Sequence, residues 1–458
     1  MVHAFEALGE KWAYDVEGGA LLQVSDLAFD ALTRLSNSGW NREAARSSLR
    51  AIYSERDADQ ALDELFELRA DGQIDTPDDA DESLVAPPGV IKALCLHAAH
   101  DCNLRCRYCF ADQGAYNHSS DQLRMPASVG KAALDFLIRH SGNRRNLEVD
   151  FFGGEPLMNF GAVKEIVEYG RLLEASAGKR FAFTITTNAV GLTDDIARWI
   201  NLEMDNVVLS IDGRECVHDR MRPTANGRGS YLPSLEGARR VVESRGDKSY
   251  YVRGTFTSYN IDFTSDALAL VDAGFKHISV EPVVAPPEAP YALTNEHIPA
   301  ILQEYDRLAD AYLKRLGEGR PFSFFHFVVD IENGPCLRKR LMGCGAGNEY
   351  AAVTPDGKLY PCHQFVGRVG FEMGDVLTGA FDADAQRRFA ANHILNKPVC
   401  RSCWAKYMCS GGCAANAHAM NGSIDKPYEL ACALQKKRLE IALAISGRNA
   451  GADQADAV

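Results

Sequence analysis

Ten of the thirteen cysteines in the chain fall into two spaced groups. The first, Cys102-Asn103-Leu104-Arg105-Cys106-Arg107-Tyr108-Cys109, is a C-x3-C-x2-C run. The second holds Cys344, Cys362, Cys400, Cys403, Cys409, Cys413 and Cys432, with C-x2-C-x5-C-x3-C at its centre. In a reducing compartment, clustered cysteines point to metal or redox chemistry rather than disulfides. Soft thiolate sets at such spacing rarely arise by chance. Three thiolates in the first group leave one iron of a cubane cluster without a protein ligand, open to chelation by a substrate. The alternative there is a Cys3His zinc site drawing on His97, His100 or His118; for the second group it is a pair of structural zinc sites.

The elements that must position these thiols form three segments. Residues 1–85 read as a small α+β module. Strands at 11–16 and 20–24 flank the hairpin turn Glu17-Gly18-Gly19, and three helices follow, the last near 58–70. Asp71-Gly72-Gln73-Ile74 then opens a wing, a winged-helix pattern. An acidic linker and Pro87-Pro88-Gly89 mark the boundary. From 90 to 330, strand runs at 91–97, 147–152, 182–187, 206–211, 250–255 and 277–280 alternate with helical stretches. Repeated β–α units imply a parallel sheet, open or curled into a partial barrel, with its chemistry at the C-terminal strand ends. The first cysteine group sits in the loop after the first of these strands. Residues 335–445 carry only short strand-like runs among their cysteines, so that domain is expected to rely on metal ligands for its stability. The small polar tail 446–458 is expected to be disordered.

With these residues in view, C-x3-C-x2-C with an aromatic before its last cysteine resembles the signature of the radical S-adenosylmethionine (SAM) superfamily. Gly153-Gly154-Glu155-Pro156 after the second strand is similar to the family's glycine-rich SAM motif. The resemblance places Thr187, Asn188, Ser210 and Asp212 at strand ends that bind ribose and methionine, and Arg253 opposite the SAM carboxylate. Glu155 is then the acceptor for the SAM ammonium, while Cys102, Cys106 and Cys109 carry the catalytic [4Fe–4S] cluster. The second cysteine group resembles the SPASM extension, which holds two further [4Fe–4S] clusters. By that pattern Cys400, Cys403, Cys409 and Cys432 complete the outer one, and Cys344, Cys362 and Cys413 supply the inner one. Its fourth ligand is either Cys336 or an open iron that binds the substrate; Cys95 and Cys216 are read as packing thiols. Met342-Gly343-Cys344-Gly345-Ala346-Gly347, Tyr360-Pro361-Cys362-His363-Gln364-Phe365 and the run around Gln435-Lys436-Lys437-Arg438 resemble the thioether-forming maturases of six-cysteine (SCIFF-type) peptides.

The resemblance therefore implies an α/β fold: a partial (β/α)6 TIM-like barrel, an N-terminal winged-helix leader-binding domain and a C-terminal SPASM domain. It also implies three [4Fe–4S] clusters with SAM, a precursor peptide whose leader binds residues 1–85, and a flavodoxin- or ferredoxin-type electron donor. Other crosslinks (carbon–carbon or ether) and sulfatase-maturase-type oxidation use the same parts. Sulfatase maturases, however, have an aspartate where His363 follows Cys362. A DNA-binding redox sensor and a plain multi-cluster electron carrier are the readings from other classes. Charge weighs against the first of these. The chain carries 49 basic and 62 acidic residues, and residues 1–90 account for -12 of the -13 net charge, a poor surface for phosphates. No apolar run approaches the roughly 18 residues of a bilayer span, and the first residues lack a signal pattern, so a cytoplasmic, membrane-free enzyme is expected.

Overall fold

The computed structural model describes residues 1–85, 88–116, 122–331 and 337–455. Pro87, His118 and Cys336 lie outside the described residues.

At the N-terminus, β1 (Val2–Ala7), β2 (Glu10–Asp15) and β3 (Leu21–Gln23) form an antiparallel meander in that order. β1 was not expected: its small and polar residues give little strand signal, yet it pairs along its whole length with β2. Three helices follow, α1 (Asp26–Asn37), α2 (Arg42–Leu49) and α3 (Glu55–Ala70), each with a side chain at its N-cap, Ser25, Asn41 and Ser54. Their apolar stripes meet at Leu32, Leu35, Leu49, Leu62 and Leu65. The wing is corrected. Residues 71–75 make a turn, with the Gln73 amide donating to the Leu68 carbonyl, and no strand follows α3 among the described residues of this module.

The central segment runs β4 (Ala93–Ala99), α4 (Ala127–His140), β5 (Asn146–Gly153), α5 (Phe160–Ala177), β6 (Arg180–Thr187), α6 (Asp194–Glu203), β7 (Asn206–Ser210), α7 (Glu215–Met221), α8 (Tyr231–Glu243), β8 (Ser249–Phe256), α9 (Phe263–Asp272) and β9 (His277–Pro282). Strands β4 to β9 are parallel and adjacent in chain order, as repeated β–α units require. After α10 (Ile298–Gly317), the two-residue β10 (Ser323–Phe324) adds to β9. One side of the sheet is apolar and buried under the helices, through Leu94, Leu96, Val149, Phe151, Phe183, Ile185, Leu209, Val252 and Val280. The alternate positions carry His97, Asp150, Thr186, Ser210, Arg253 and Glu281. Parallel strands are usually apolar on both faces. Polar residues on this one mark it as a working surface.

The sheet does not end at β4. β11 (Tyr350–Val353) pairs parallel to it, with Ala352 opposite Cys95, and β12 (Lys358–Tyr360), β13 (Gly374–Asp375) and β14 (Ala380–Phe381) continue antiparallel. The cysteine-rich segment is therefore built onto the central sheet. A second correction concerns the tail. Helix Glu429–Ala455 takes in the residues to 455 that composition assigned to disorder. Its neighbours explain this. Arg448 bonds Glu10 at 2.8 Å, and Glu440 meets His3 at 3.0 Å, so the N-terminal meander supplies partners that composition could not reveal.

The N-terminal module is thus docked. Trp12, Tyr14 and Val16 share a core with Ile394, Tyr407 and Leu443. At its edge the buried Lys406 ammonium bonds Glu17 and Asp78, both at 2.7 Å. Removing one partner of a buried ion pair leaves uncompensated charge, typically about 3–5 kcal/mol. Lys406→Met should therefore loosen the module, and limited proteolysis between residues 71 and 90 should quicken several-fold. Wild-type resistance in this variant would show that the apolar contact alone holds the module.

Candidate functional site

The three cysteines of the first group leave the end of β4 on a loop pinned from both sides. On one side, Gly154 donates to the Ala99 carbonyl at 2.8 Å and Glu155 to the Asp101 carbonyl at 2.9 Å. A Cβ on Gly153 would stand 2.3 Å from the Ala99 oxygen, and one on Gly154 2.3 Å from that of Asp101. The glycines are bare because the cluster loop presses against them. On the other side, Tyr108 donates to Asp212, which also accepts from Arg222 and the Thr255 amide, each at 2.9 Å.

Cys102, Cys106 and Cys109 lie within one another's electrostatic reach. Burial pushes the Cys102 thiol up to about 12 and Cys106 to about 11, while Arg222 partly opposes the rise at Cys106. Such thiols stay protonated until a metal displaces the proton. The Leu104 and Gln113 amides donate to the sulfurs of Cys102 and Cys109 at 3.4 and 3.2 Å. Buried Arg222 keeps an Nε without a partner among the described residues. Backbone donors, a fixed cation and a spare N–H suit the negative charge of a thiolate-bound cubane. Of the histidines named for the zinc alternative, His97 and His100 bond each other at 2.9 Å and pack on Tyr116, and His118 lies outside the described residues. Among the described residues no three His, Cys, Asp or Glu groups converge on one ion. A cubane asks for less, since each thiolate takes a different iron.

The second group separates into two sets in the same electrostatic sense. Cys362 feels Cys413 and Cys344, whereas Cys400, Cys403, Cys409 and Cys432 feel one another. Lys397, only 3% exposed, lies within reach of both sets and donates to the Gly411 carbonyl at 3.2 Å.

One cavity of roughly 770 Å³ joins these parts. Its wall includes Cys102, Cys106 and Cys109, Gly153, Gly154 and Glu155, Thr187, Asn188, Ser210 and Arg253, together with Cys344, Cys413 and Cys432. Pro156 and Asp212 are absent from that wall. Pro156 opens a short helix, and Asp212 is a buried anchor of the cluster loop. Glu155 also differs from expectation. It is 1% exposed and already accepts from Thr187 at 2.7 Å, Asn188 N at 2.8 Å and Leu157 N at 3.1 Å, tying the glycine turn to the end of β6. Arg253 has no bonded partner among the described residues and is the cation available to an incoming carboxylate.

On this wall Phe110, Phe152, Glu281 and His326 were not singled out from the sequence, while His363 and Arg438 entered only as parts of the resembling motifs. Phe110, Phe152 and His363 form an aromatic group, with His363 at 4.9 Å from Phe152 and 5.4 Å from Phe110. Burial, with Arg253 nearby, lowers His363 to about 4, so it is neutral at working pH. Glu281, His326 and Arg438 form a charged group on the same wall. Only Glu281, a charge at a strand end, carried a local signal.

Comparison with known proteins now gives the parts their class. Residues 87–235 match a family described as a 4Fe-4S single cluster domain, and residues 344–404 match SPASM, an iron-sulfur cluster-binding domain. The cysteine-type anaerobic sulfatase-maturating enzyme of Clostridium novyi (strain NT) is 24% identical over 337 residues, 70% of this chain and 86% of that protein. Radical SAM cyclopropyl synthase TigE of Paramaledivibacter caminithermalis is 22% identical over 370 residues, 76% of this chain and 72% of its own. Among solved structures, native anSMEcpe with bound AdoMet aligns at a TM-score of 0.65 and 18% identity over 78% of this chain and 99% of that one. Streptococcus suis SuiB bound to precursor peptide SuiA aligns at 0.52 and 16% over 94% of this chain and 98% of that one. The matched domains are those of radical SAM enzymes with a SPASM domain, and the chain is similar over most of its length to a sulfatase-maturating enzyme and a radical SAM cyclopropyl synthase. No helix among the described residues is long and apolar enough to cross a membrane.

The buried carboxyl of Glu155 makes this site pH-sensitive. Burial outweighs its three donors and raises it from 4.5 to about 7. The folded chain therefore holds a proton that the unfolded chain releases between those values, and stability falls as pH rises through the window, by roughly 3 kcal/mol. Asp150, raised by burial to about 7, adds to the slope. Melting temperature should drop from pH 5 to pH 7.5, and Glu155→Gln should remove about half of that drop. An unchanged slope would locate the proton elsewhere.

Proposed function

We propose that the enzyme matures a ribosomally made peptide, joining a peptide cysteine sulfur to a carbon from which a hydrogen atom has been removed. The observation that carries this reading is the single cavity whose wall holds the first cysteine set, the strand-end polar groups and two thiols of the inner set. Relatives with peptide substrates in their names support it: PqqA peptide cyclases, and SuiB with its precursor peptide SuiA. Bound SAM and the first cluster would supply the carbon radical that takes the hydrogen, while the thiol proton would leave to solvent and the remaining electron to an auxiliary cluster. The chain does the rest. Arg253, Asn188 and Ser210 offer polar contacts to the cofactor, Asp212 and Glu155 hold the loops that carry it, and the aromatic group excludes water. Cys344, Cys362 and Cys413, with Cys336 as fourth ligand, would hold the inner auxiliary cluster. Cys400, Cys403, Cys409 and Cys432 would hold the outer one, beside the docking point of a flavodoxin- or ferredoxin-type electron donor.

Anaerobically reconstituted protein should bind about twelve irons, three cubanes. Given SAM and a synthetic leader-bearing peptide with several cysteines, it should release 5′-deoxyadenosine and yield peptide lacking two hydrogens and one alkylatable thiol per crosslink. Replacing Cys102, Cys106 and Cys109 together with Ala should remove about a third of the iron and all SAM cleavage. Product whose thiols all remain alkylatable would point to carbon–carbon or ether formation instead. An aldehyde would point to the oxidation for which sulfatase maturases are known.

The leader is proposed to bind residues 1–85 by strand addition. β3 is an edge strand and Leu22 on it is 40% exposed. Leu22→Asp should weaken leader-peptide binding about tenfold, a loss of roughly 1.4 kcal/mol, as read by fluorescence anisotropy. Because the module is acidic, basic leaders should bind less tightly as salt rises. Unchanged affinity at both Leu22→Asp and high salt would move the leader site elsewhere.

A further inference from the structure

The catalytic cavity is not the largest space in the molecule. A second one, of roughly 1470 Å³, lies between the N-terminal module and the lower end of the central sheet. Tyr14 of the meander, the loop 141–144 that enters β5, residues 328–331 and residues 339–344 form its walls. Phe325, His326, Gly343, Cys344, Cys409 and Gln435 line both cavities, so the two meet at one portal. The larger space is far too big for a single side chain. One of its walls is mixed in charge: Glu349 pairs with Lys92 at 2.7 Å and Arg144 at 2.9 Å. A trough lined mainly by apolar side chains, with one charged wall and a portal into the catalytic cavity, fits an extended polypeptide.

At the portal stands a donor without an acceptor. Arg438 of helix Glu429–Ala455 is 5% exposed and lines the catalytic cavity one helical turn beyond Gln435. Its Nε donates to the Tyr305 hydroxyl at 2.7 Å, and Nη1 lies 3.6 Å from Glu281 and 3.5 Å from His326. His326 in turn meets Glu281 at 2.8 Å, and Ser279 donates to the same carboxylate at 2.9 Å. The guanidinium is therefore fixed on three sides, yet its buried Nη2 has no partner among the described residues. An unsatisfied buried donor on a charged group is destabilising unless a ligand supplies the acceptor.

Resting on the peptide reading above, we propose that the substrate peptide threads from the larger cavity through this portal into the catalytic one, and that Arg438 grips a backbone carbonyl of the entering segment. Tyr14 on the far wall places the mouth of the larger cavity at the module proposed to hold the leader. Leader and crosslinked segment would then lie on one continuous path. Arg438 is a positioning residue: Tyr305 and Glu281 aim it, and it aims the peptide.

The test uses the reconstituted holoenzyme, SAM and the synthetic leader-bearing cysteine peptide, with wild type, Arg438→Lys and Arg438→Met side by side. Lysine keeps the charge opposite Glu281 but lacks the second arm of the fork. Arg438→Lys is expected to melt within a degree or two of wild type while raising the peptide KM about tenfold, a loss of one charge-assisted bond. A benzoylphenylalanine placed in the peptide just before its first modified cysteine should photo-crosslink to residues 328–331 or 339–342. If lysine restores the wild-type KM and only methionine fails, Arg438 is a structural ion-pair partner and the grip is overturned. If the wild type crosslinks the peptide's cysteines but photo-adducts fall only on Phe110 or Tyr428, the route is overturned and the peptide reading stands. A wild type that neither binds nor modifies the peptide overturns both.

Discussion

The site depends on one close approach, the backbone at residues 99–101 lying against Gly153 and Gly154. This contact carries the β4–β5 pairing past the last paired residues, so the cysteine loop begins as an extension of the sheet. From there a chain of buried bonds runs outward. Glu155 turns away to hold the Thr187 hydroxyl and the Asn188 amide, which fixes the end of β6. Across the loop, Tyr108, Asp212 and Arg222 fix it to the amide of Thr255 on β8. Each bond is worth about 1 kcal/mol net. The cost of losing one is larger, because Asp212 and Glu155 are 0% and 1% exposed and would be left with unmet polar groups in a buried setting. Rigidity here is electrostatic as much as apolar. It fixes where the three thiols stand before any iron arrives.

The same contact separates what local sequence could convey from what it could not. Strands β4 to β9 were legible because each is a short β-rich run between helical periods, and the two cysteine groups were legible from spacing, the division of the second into two sets only from the family resemblance. Gly153 and Gly154 were found for an incomplete reason. The motif read as a cofactor cradle, whereas the contact that forbids a Cβ is with the protein's own loop. Asp212 was placed at the cofactor because it follows a strand, but its partners come from residues 108, 222 and 255, distances in sequence that no local pattern conveys. β1, the docked tail and the pairing of β11 with β4 share that cause. Their partners lie far along the chain, and the segments themselves are short, small or polar. The wing failed because Gly72 and Gln73 signal a turn equally well with or without a strand behind it.

That β11 joins β4 has a mechanical consequence. The catalytic thiols leave the C-terminal end of β4. Because β12 runs back antiparallel to β11, Cys362 emerges toward the opposite end of the same sheet. The position of Cys362 relative to the first set is thus tied to strand register, with Ala352 opposite Cys95 and Tyr360 opposite Ala352. A one-residue slip would turn each alternate side chain to the other face. The cavity between the sets is as fixed as the sheet.

The material between the sets follows from the chemistry it must enclose. Phe110 is the neighbour of Cys109, His363 the neighbour of Cys362, and Phe152 comes from β5 between them. The three rings join one cysteine loop to the other without a charge, since burial, reinforced by the nearby Arg253 cation, keeps His363 neutral. A charged or hydroxylated wall would draw water toward a carbon radical; this one offers only ring faces and edges. The charges stand aside. Arg253, Glu281 and Arg438, together with His326, line the same cavity from the strand ends, the 325–327 turn and the final helix. Burial drives both arrangements: it keeps His363 neutral, and it makes Glu281 and Arg438 depend on each other and on His326 and Tyr305.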